Sequence, residues 1–402
     1  MIKKKFFFLI IIFVALSYFQ SSYAVEYKVY GFIQPEYTQF LNGDGAHGQK
    51  NKNSSIFAQG NYIAYLNDGN SKFSLRANAR LDENDTKLNY FDFQKLKYEY
   101  YFEDTTIKIG IDKIYWGVNE SFKIVDIINQ SNIAEDITGT EKFGQPMISI
   151  TQVYDFGVFD FYILPYSRER VFPGSKGRPR LAYEIDYNST SYESSLKENK
   201  IGGALRFSKV IDDFDLGLTH YFGTARNPEL NINPSSLKLE PYYPILSQTG
   251  IDIQATIGSC LYKLEAVTVD KNSERHTSFA GGIEYTFYQI NNSSADLGLI
   301  TEIILDDRND YFLNNETAIG LRLTLNDING TSLLTGASLD NNGESNRFFS
   351  EFETRLSDDS KLFIDIAING HINKNDFTYA FKQDSSLSCL LYTSDAADEV
   401  VS

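Results

Sequence analysis

Lys72-Phe73-Ser74-Leu75-Arg76-Ala77-Asn78-Ala79-Arg80-Leu81 places Phe73, Leu75, Ala77, Ala79 and Leu81 on one side of an extended chain. Ser74, Arg76, Asn78 and Arg80 fall on the other. A period of two marks a strand with two unlike faces. In Thr317 to Leu325, Ile319, Leu321, Leu323 and Leu325 alternate with Ala318, Gly320, Arg322 and Thr324. Leu362, Ile364, Ile366 and Ile368 alternate in the same way with Phe363, Asp365, Ala367 and Asn369. Similar segments run through Thr106–Tyr115, Val158–Leu164, Gly203–Lys209, Phe214–Tyr221, Leu261–Val269, Asp296–Leu305 and Phe348–Leu356. No sustained helical period appears between residues 25 and 388, and no second apolar run there reaches the length of a membrane helix.

The connections alternate in length. Asn67 to Asn70, Glu103 to Thr105, Asp155 to Gly157, Asp212-Asp213, Asn291 to Ser293, Asn326 to Gly330 and Asp358 to Ser360 carry the Asn, Asp and Gly of tight hairpins. The opposite connections, Leu41 to Ser55, Val118 to Met147, Tyr166 to Lys200 and Ala225 to Leu246, are long and polar. Short turns at one end and long loops at the other predict an all-β fold, a transmembrane antiparallel β-barrel of the outer-membrane type. Lipid then meets the apolar face and water the polar one, and closure pairs every backbone group. Tyr98, Tyr100, Tyr101, Tyr115, Tyr221, Phe222, Tyr285, Phe287 and Tyr288, near strand ends, fit interfacial girdles. Seventeen segments can be counted, plus one that would begin near Ser385 and be lost where the pattern breaks, so 18 strands are expected, with 16 equally defensible.

Composition agrees. The 402 residues are 42% hydrophobic, 14% aromatic and 22% charged, with 27 Tyr, 30 Phe, one Trp and only 9 Pro, a balance favouring strands. The net charge of −16 excludes a nucleic-acid partner that needs a basic face. Lys3, Lys4 and Lys5, the run Phe6 to Leu16 and the small residues Ser22 and Ala24 read as an export signal over residues 1–24, with the barrel over 25–388. Cys389 to Glu399 (CLLYTSDAADE) breaks the pattern and resembles the in-frame translation of a transposon sequencing adapter. Residues 389–402 are therefore expected to be non-native, with the final strand missing; a natural flexible tail is the alternative. Removing Lys3, Lys4 and Lys5 takes the charge from −16 to −19, and removing Asp395, Asp398 and Glu399 returns it to −16. Cys260 alone forms no disulfide, and with scattered His47, His220, His276 and His371 makes no zinc site. No cofactor is expected.

Lys108 to Gly117 ends in Trp-Gly and is followed by Asp126-Ile127-Ile128-Asn129-Gln130. Then come Gly144-Gln145-Pro146, Leu164-Pro165-Tyr166, Arg168-Glu169-Arg170 and Phe172-Pro173-Gly174. These words resemble a group of largely uncharacterised proteobacterial porin-like outer-membrane proteins. The resemblance implies a barrel in the Gram-negative outer membrane and says little about substrate. Such proteins usually close with a strand ending in an aromatic, which this chain does not display.

In a barrel, function lies in the lumen. Inward faces read from the alternation supply Arg76, Arg80, Lys95, Lys97, Lys108, Arg206, Lys263, Arg322 and Arg355 as bases. The acids are Glu99, Asp112, Asp215, Glu265, Glu302, Glu351, Glu353 and Asp365. Near balance predicts weak overall ion selectivity, with any sideways segregation acting on polar solutes; alternatively the charges merely pair in a wet interior. The segment Val118 to Met147 is too apolar for a free loop and is the expected inward constriction, presenting Asp126, Asn129, Glu135 and Asp136. Covering the mouth without narrowing it is the alternative. Arg168, Arg170, Lys176, Arg178 and Arg180 form a basic loop cluster, either solvated or facing anionic solutes and lipopolysaccharide phosphates. His276 and Ser278 share a strand face, a weak hydrolase signal without a third group. The chain reads as a channel for passive diffusion of small polar or charged solutes, with outer-membrane lipid and lipopolysaccharide as surroundings and a homo-oligomer as an open possibility. A structural or adhesive barrel acting through its loops is the alternative.

Overall fold

The computed structural model describes residues 26–45, 47–308, 315–374 and 376–395; the expected export signal, residues 1–24, and residues 396–402 lie outside them. The strands are β1 (Glu26–Phe40), β2 (Lys52–Leu66), β3 (Ser71–Asp82), β4 (Tyr90–Phe102), β5 (Thr105–Asp112), β6 (Gln145–Tyr154), β7 (Gly157–Leu164), β8 (Ser191–Tyr192), β9 (Gly202–Ile211), β10 (Phe214–Thr224) and β11 (Glu229–Asn233). They continue with β12 (Lys238–Tyr243), β13 (Ile245–Ile257), β14 (Cys260–Lys271), β15 (Glu274–Phe287), β16 (Asp296–Asp306), β17 (Glu316–Thr324), β18 (Ser332–Asp340), β19 (Ser345–Ser357), β20 (Ser360–Ile372) and β21 (Ser386–Asp395). Eighteen form one antiparallel sheet, and β8, β11 and β12 form a separate small sheet in the long loops.

The large sheet closes on itself because β1 pairs with both β2 and β21. The sequence pattern left the eighteenth position empty; here Ser386–Asp395 fills it, with Thr38 opposite Ser388 and Glu36 opposite Leu390. Backbone pairing depends little on side-chain identity, and an open edge in lipid would strand its N–H and C=O groups. Ser386, Ser388, Leu390 and Tyr392 share the register face of Asp365, and the Tyr392 ring lies 4.4 Å from that of Phe32, tilted by 38°.

The alternation sets the faces. Ile33, Ile56, Phe91, Ile109, Ile319, Leu321 and Ile368 are exposed on the outer wall, as residues that meet lipid should be. Tyr98, Tyr100, Tyr115, Phe222, Tyr285, Phe287 and Tyr288 are also exposed, consistent with girdle positions. Tyr221 departs from that expectation: it is 1% exposed, and its hydroxyl donates to Thr224 O at 2.7 Å. A one-residue offset along a strand moves a ring from lipid to interior.

Candidate functional site

The chain between β5 and β6, residues 113–144, folds into the barrel. Its entry depends on Gly117, whose φ of +94° suits glycine and where a Cβ would lie 2.7 Å from Glu265 Oε1. Beyond this bend, the loop's amides meet two wall carboxylates. Glu265 on β14 accepts from Val118 N at 2.7 Å, Asn119 N at 3.0 Å and Val125 N at 3.1 Å. Glu302 on β16 accepts from Glu120 N and Ser121 N, both at 2.7 Å. Irregular backbone inside a barrel needs such acceptors, because an unpaired buried N–H is costly.

Apolar packing completes the seat. Trp116, Ile124, Val125, Ile127 and Ile128 from the loop bury against Met147, Tyr162, Leu164, Tyr221 and Leu246. On the far strands they meet Val267, Val269, Ala280 and Ile304. This single cluster spans the inner faces from β6 to β16 and gives that side an apolar lining at loop height.

The returning limb is held by amides. Asn129 accepts from Ile114 N at 2.9 Å and donates to Asp112 O at 3.0 Å and Phe143 O at 2.9 Å. Gln130 donates to Arg168 O at 3.0 Å and accepts from Arg170 Nε at 3.2 Å. Gln145 donates to Tyr166 O, and the hydroxyl of Tyr243 accepts from Arg170 N at 2.8 Å. The words that carried the family resemblance thus link the inward loop to the loop after β7. Asp126 is buried against Lys142 at 2.5 Å. Glu135 reaches β3, where Arg80 donates to it at 2.9 Å, and accepts from Tyr90 OH at 2.7 Å. Asp136 is occupied by Thr138 and Thr140 within its own turn.

The expected lumen charges fall into two groups. Glu265 (0% exposed), Glu302 (1%), Arg80 (8%) and Asp112 (4%) are buried: the two glutamates anchor the loop, Arg80 also binds Glu36, and Asp112 holds Lys97 at 2.6 Å. Arg206 is paired bidentately with Asp252 at 2.7 Å. Arg76, Lys95 and Lys108 on β3 to β5, and Glu351, Arg355 and Asp365 on β19 and β20, make no ion pair among the described residues. Glu351 and Asp365 sit directly opposite each other on adjacent strands. Arg322 joins the groups by donating to Glu120 of the loop at 2.8 Å. Burial disfavours the charged Glu120 carboxylate, but the Arg322 hydrogen bond and charge outweigh it and hold its pKa below the ordinary 4.5.

Two other expectations change. The basic loop cluster is not a solvated patch: Arg168 pairs with Asp92 at 2.9 Å, Arg170 and Arg180 are buried, and Arg178 is locked to Asp384. Only Lys176 of the five is exposed. Ser278 is buried and makes no hydrogen bond to His276, whose Nδ1 lies 3.6 Å from Asp307, so the pair is not arranged as base and nucleophile. The anchoring role of Glu265 and Glu302 was missed because a strand pattern gives the face of a residue and not what folds onto that face.

No protein-family model and no curated protein matches the sequence. Among solved structures, OccK11 (OpdR) of Pseudomonas aeruginosa aligns over 92% of this chain and 95% of its own, with 11% identity and a TM-score of 0.53. A triple mutant of the Rhodopseudomonas blastica porin aligns over 92% and 100%, with 11% identity and a TM-score of 0.45. The OccK11 likeness shows a shared barrel fold.

Proposed function

We propose that the chain is a passive outer-membrane channel for small polar or charged solutes. The observation that carries this reading is the asymmetry of the inner wall. From β6 to β16 the inner wall is covered by the apolar seat of the inward loop. From β17 round to β5, Arg322, Glu351, Arg355, Asp365, Arg76, Lys95 and Lys108 face inward in partly exposed positions, and charges of both signs there need water. The loop narrows the barrel without presenting Asp126 and Asn129 to the path; Glu120, Glu135 and Asp136 are its polar elements nearest the charged wall.

Location in a Gram-negative outer membrane, export by residues 1–24 and lipid with lipopolysaccharide around the outer wall belong to this reading. Charges distributed along a hydrated wall suit zwitterionic and charged solutes better than apolar ones. The test is osmotic swelling of liposomes carrying the refolded protein. Swelling rates in amino acids and small sugars that fall with solute size support a diffusion channel. Rates equal to protein-free liposomes, with the barrel intact, would move the function to the loops and an external partner.

A further inference from the structure

Glu351 and Asp365 pair across β19 and β20, so their Cβ atoms stand about 4.5–5.5 Å apart on the inner face. Like charges placed directly opposite each other destabilise a sheet. Nothing in the wall offsets this: neither carboxylate accepts a hydrogen bond or joins an ion pair among the described residues. The neighbouring bases are engaged elsewhere or distant. Arg322 lies two strands away in register, beyond Leu334, where it donates to Glu120 at 2.8 Å and stands 3.5 Å from Glu284. Lys361 holds Glu353 at 2.7 Å, and Arg80 holds Glu36 and Glu135. Arg347 and Arg355 sit four residues from Glu351 along β19, about 13 Å to either side.

Two rings bracket the carboxylates. Phe349 precedes Glu351 by two residues on β19, and Phe363 precedes Asp365 by two on β20, so both rings share the inner face. Because the strands are antiparallel, Phe349 lies on the loop side of the pair and Phe363 on the short-turn side. The Phe349 ring lies over Gly336, where a Cβ would come 2.8 Å from its Cζ. Leu334 stands opposite Glu351, and Leu390 opposite Phe363. Glu351 is exposed, and Asp365, Phe349 and Phe363 are partly exposed. From the inward loop, Glu120 and Asp136 come within electrostatic reach of Glu351.

We propose that this strip binds small organic cations, solutes carrying an ammonium group on a compact apolar body, as they pass; this rests on the channel reading above. An ammonium group between Glu351 and Asp365 removes their repulsion and gains charge-assisted contacts. Its apolar substituents meet Phe349 and Phe363, the kind of contact by which aromatic rings hold substituted ammonium groups. A hard metal ion fits less well, because it takes about six to eight oxygen ligands and hydrocarbon rings supply none. Among the described residues no group of three or more His, Cys, Asp or Glu is placed to hold a metal ion.

The test adds benzyltrimethylammonium to the full chain in a planar bilayer, with benzyl alcohol and calcium as comparisons. The organic cation is expected to reduce the open-channel current at about millimolar concentration, as suits a ligand of its size; benzyl alcohol should not. Glu351→Gln with Asp365→Asn should raise the half-blocking concentration at least about fivefold, and Phe349→Leu with Phe363→Leu about threefold, in barrels that remain heat-resistant. Block unchanged in either double variant overturns the proposal. Block by calcium at equal or lower concentration assigns the carboxylates to inorganic cations and overturns it too. Equilibrium dialysis of the detergent-solubilised parent against benzyltrimethylammonium reads binding without current. Binding in a parent that carries no current overturns the channel reading and leaves the site standing. No binding in the parent overturns the site, whether or not the channel conducts.

Discussion

Replacing Glu265 by Gln tests whether the inward loop is held by wall carboxylates. The native carboxylate takes Val118 and Asn119 on Oε1 and Val125 on Oε2. Gln retains one carbonyl oxygen for the first two donors, at the lower strength of a neutral acceptor, and turns an NH2 group towards Val125 N–H. Bonds to charged groups contribute about 1.5–3 kcal/mol and neutral ones about 1, so two weakened bonds cost about 1–4 kcal/mol in all. A donor facing a donor adds about 1–3 kcal/mol. A total near 3 kcal/mol corresponds to about a hundredfold loss in the seated-to-released ratio of the loop. Single-channel recording reads this directly, as flicker between conductance levels that is rare in the parent and frequent in the variant. Glu302→Gln, which weakens the Glu120 and Ser121 amide bonds, should behave alike. Glu353→Gln, an inward glutamate whose one ion pair among the described residues is with Lys361 at 2.7 Å, should leave the trace unchanged. A quiet Glu265→Gln channel with parental heat stability would refute the anchoring argument.

Other consequences follow from the same geometry. Ile319→Arg places a charge on the lipid face in the middle of β17 and should cost about 2–4 kcal/mol in urea refolding from lipid vesicles, a loss that Arg322→Leu on the inner face should not reproduce. Arg178→Ala leaves Asp384 buried without its partner and should cost about 3–5 kcal/mol, read as a lower midpoint of heat-induced unfolding on gels. Arg76→Glu with Lys95→Glu reverses two inward charges that lack ion pairs and should shift the reversal potential towards cations in a salt gradient; an unchanged potential in a folded barrel would place them outside the path. Because Glu120 has its pKa held below the ordinary value, its contact with Arg322 contributes fully above about pH 4.5 and is lost as pH falls through the lower, folded-state value. The part of the flicker that depends on this contact, read as the difference between the parent and Arg322→Leu, should therefore be constant above about pH 4.5 and change only below it.

Much of the fold was legible because a barrel wall repeats one rule. Alternation in Lys72 to Leu81 and Thr317 to Leu325 gave strands and faces, and Asn, Asp and Gly in the turns gave the short end. The site was legible in outline only. That Val118 to Met147 was too apolar for a free loop could be read from Ile124, Val125, Ile127 and Ile128. That Glu265 and Glu302 are covered could not, since it depends on contacts more than a hundred residues apart in sequence. The arginines after β7 misled for a related reason: a basic run resembles a solvated patch until Asp92 of β4 and Asp384 of the loop after β20 are placed beside it. The closing strand was expected to begin near Ser385 and to be lost at the adapter-like junction; it forms because pairing at an open edge is driven by unsatisfied backbone groups rather than by side-chain pattern.

The central claim is that one side of this barrel remains a water-filled path past the seated loop. Single-channel current through the refolded full chain in a planar bilayer measures that path directly. The account predicts steady openings whose conductance rises in proportion to bulk salt. A folded, heat-resistant barrel that carries no current at any salt concentration would contradict it.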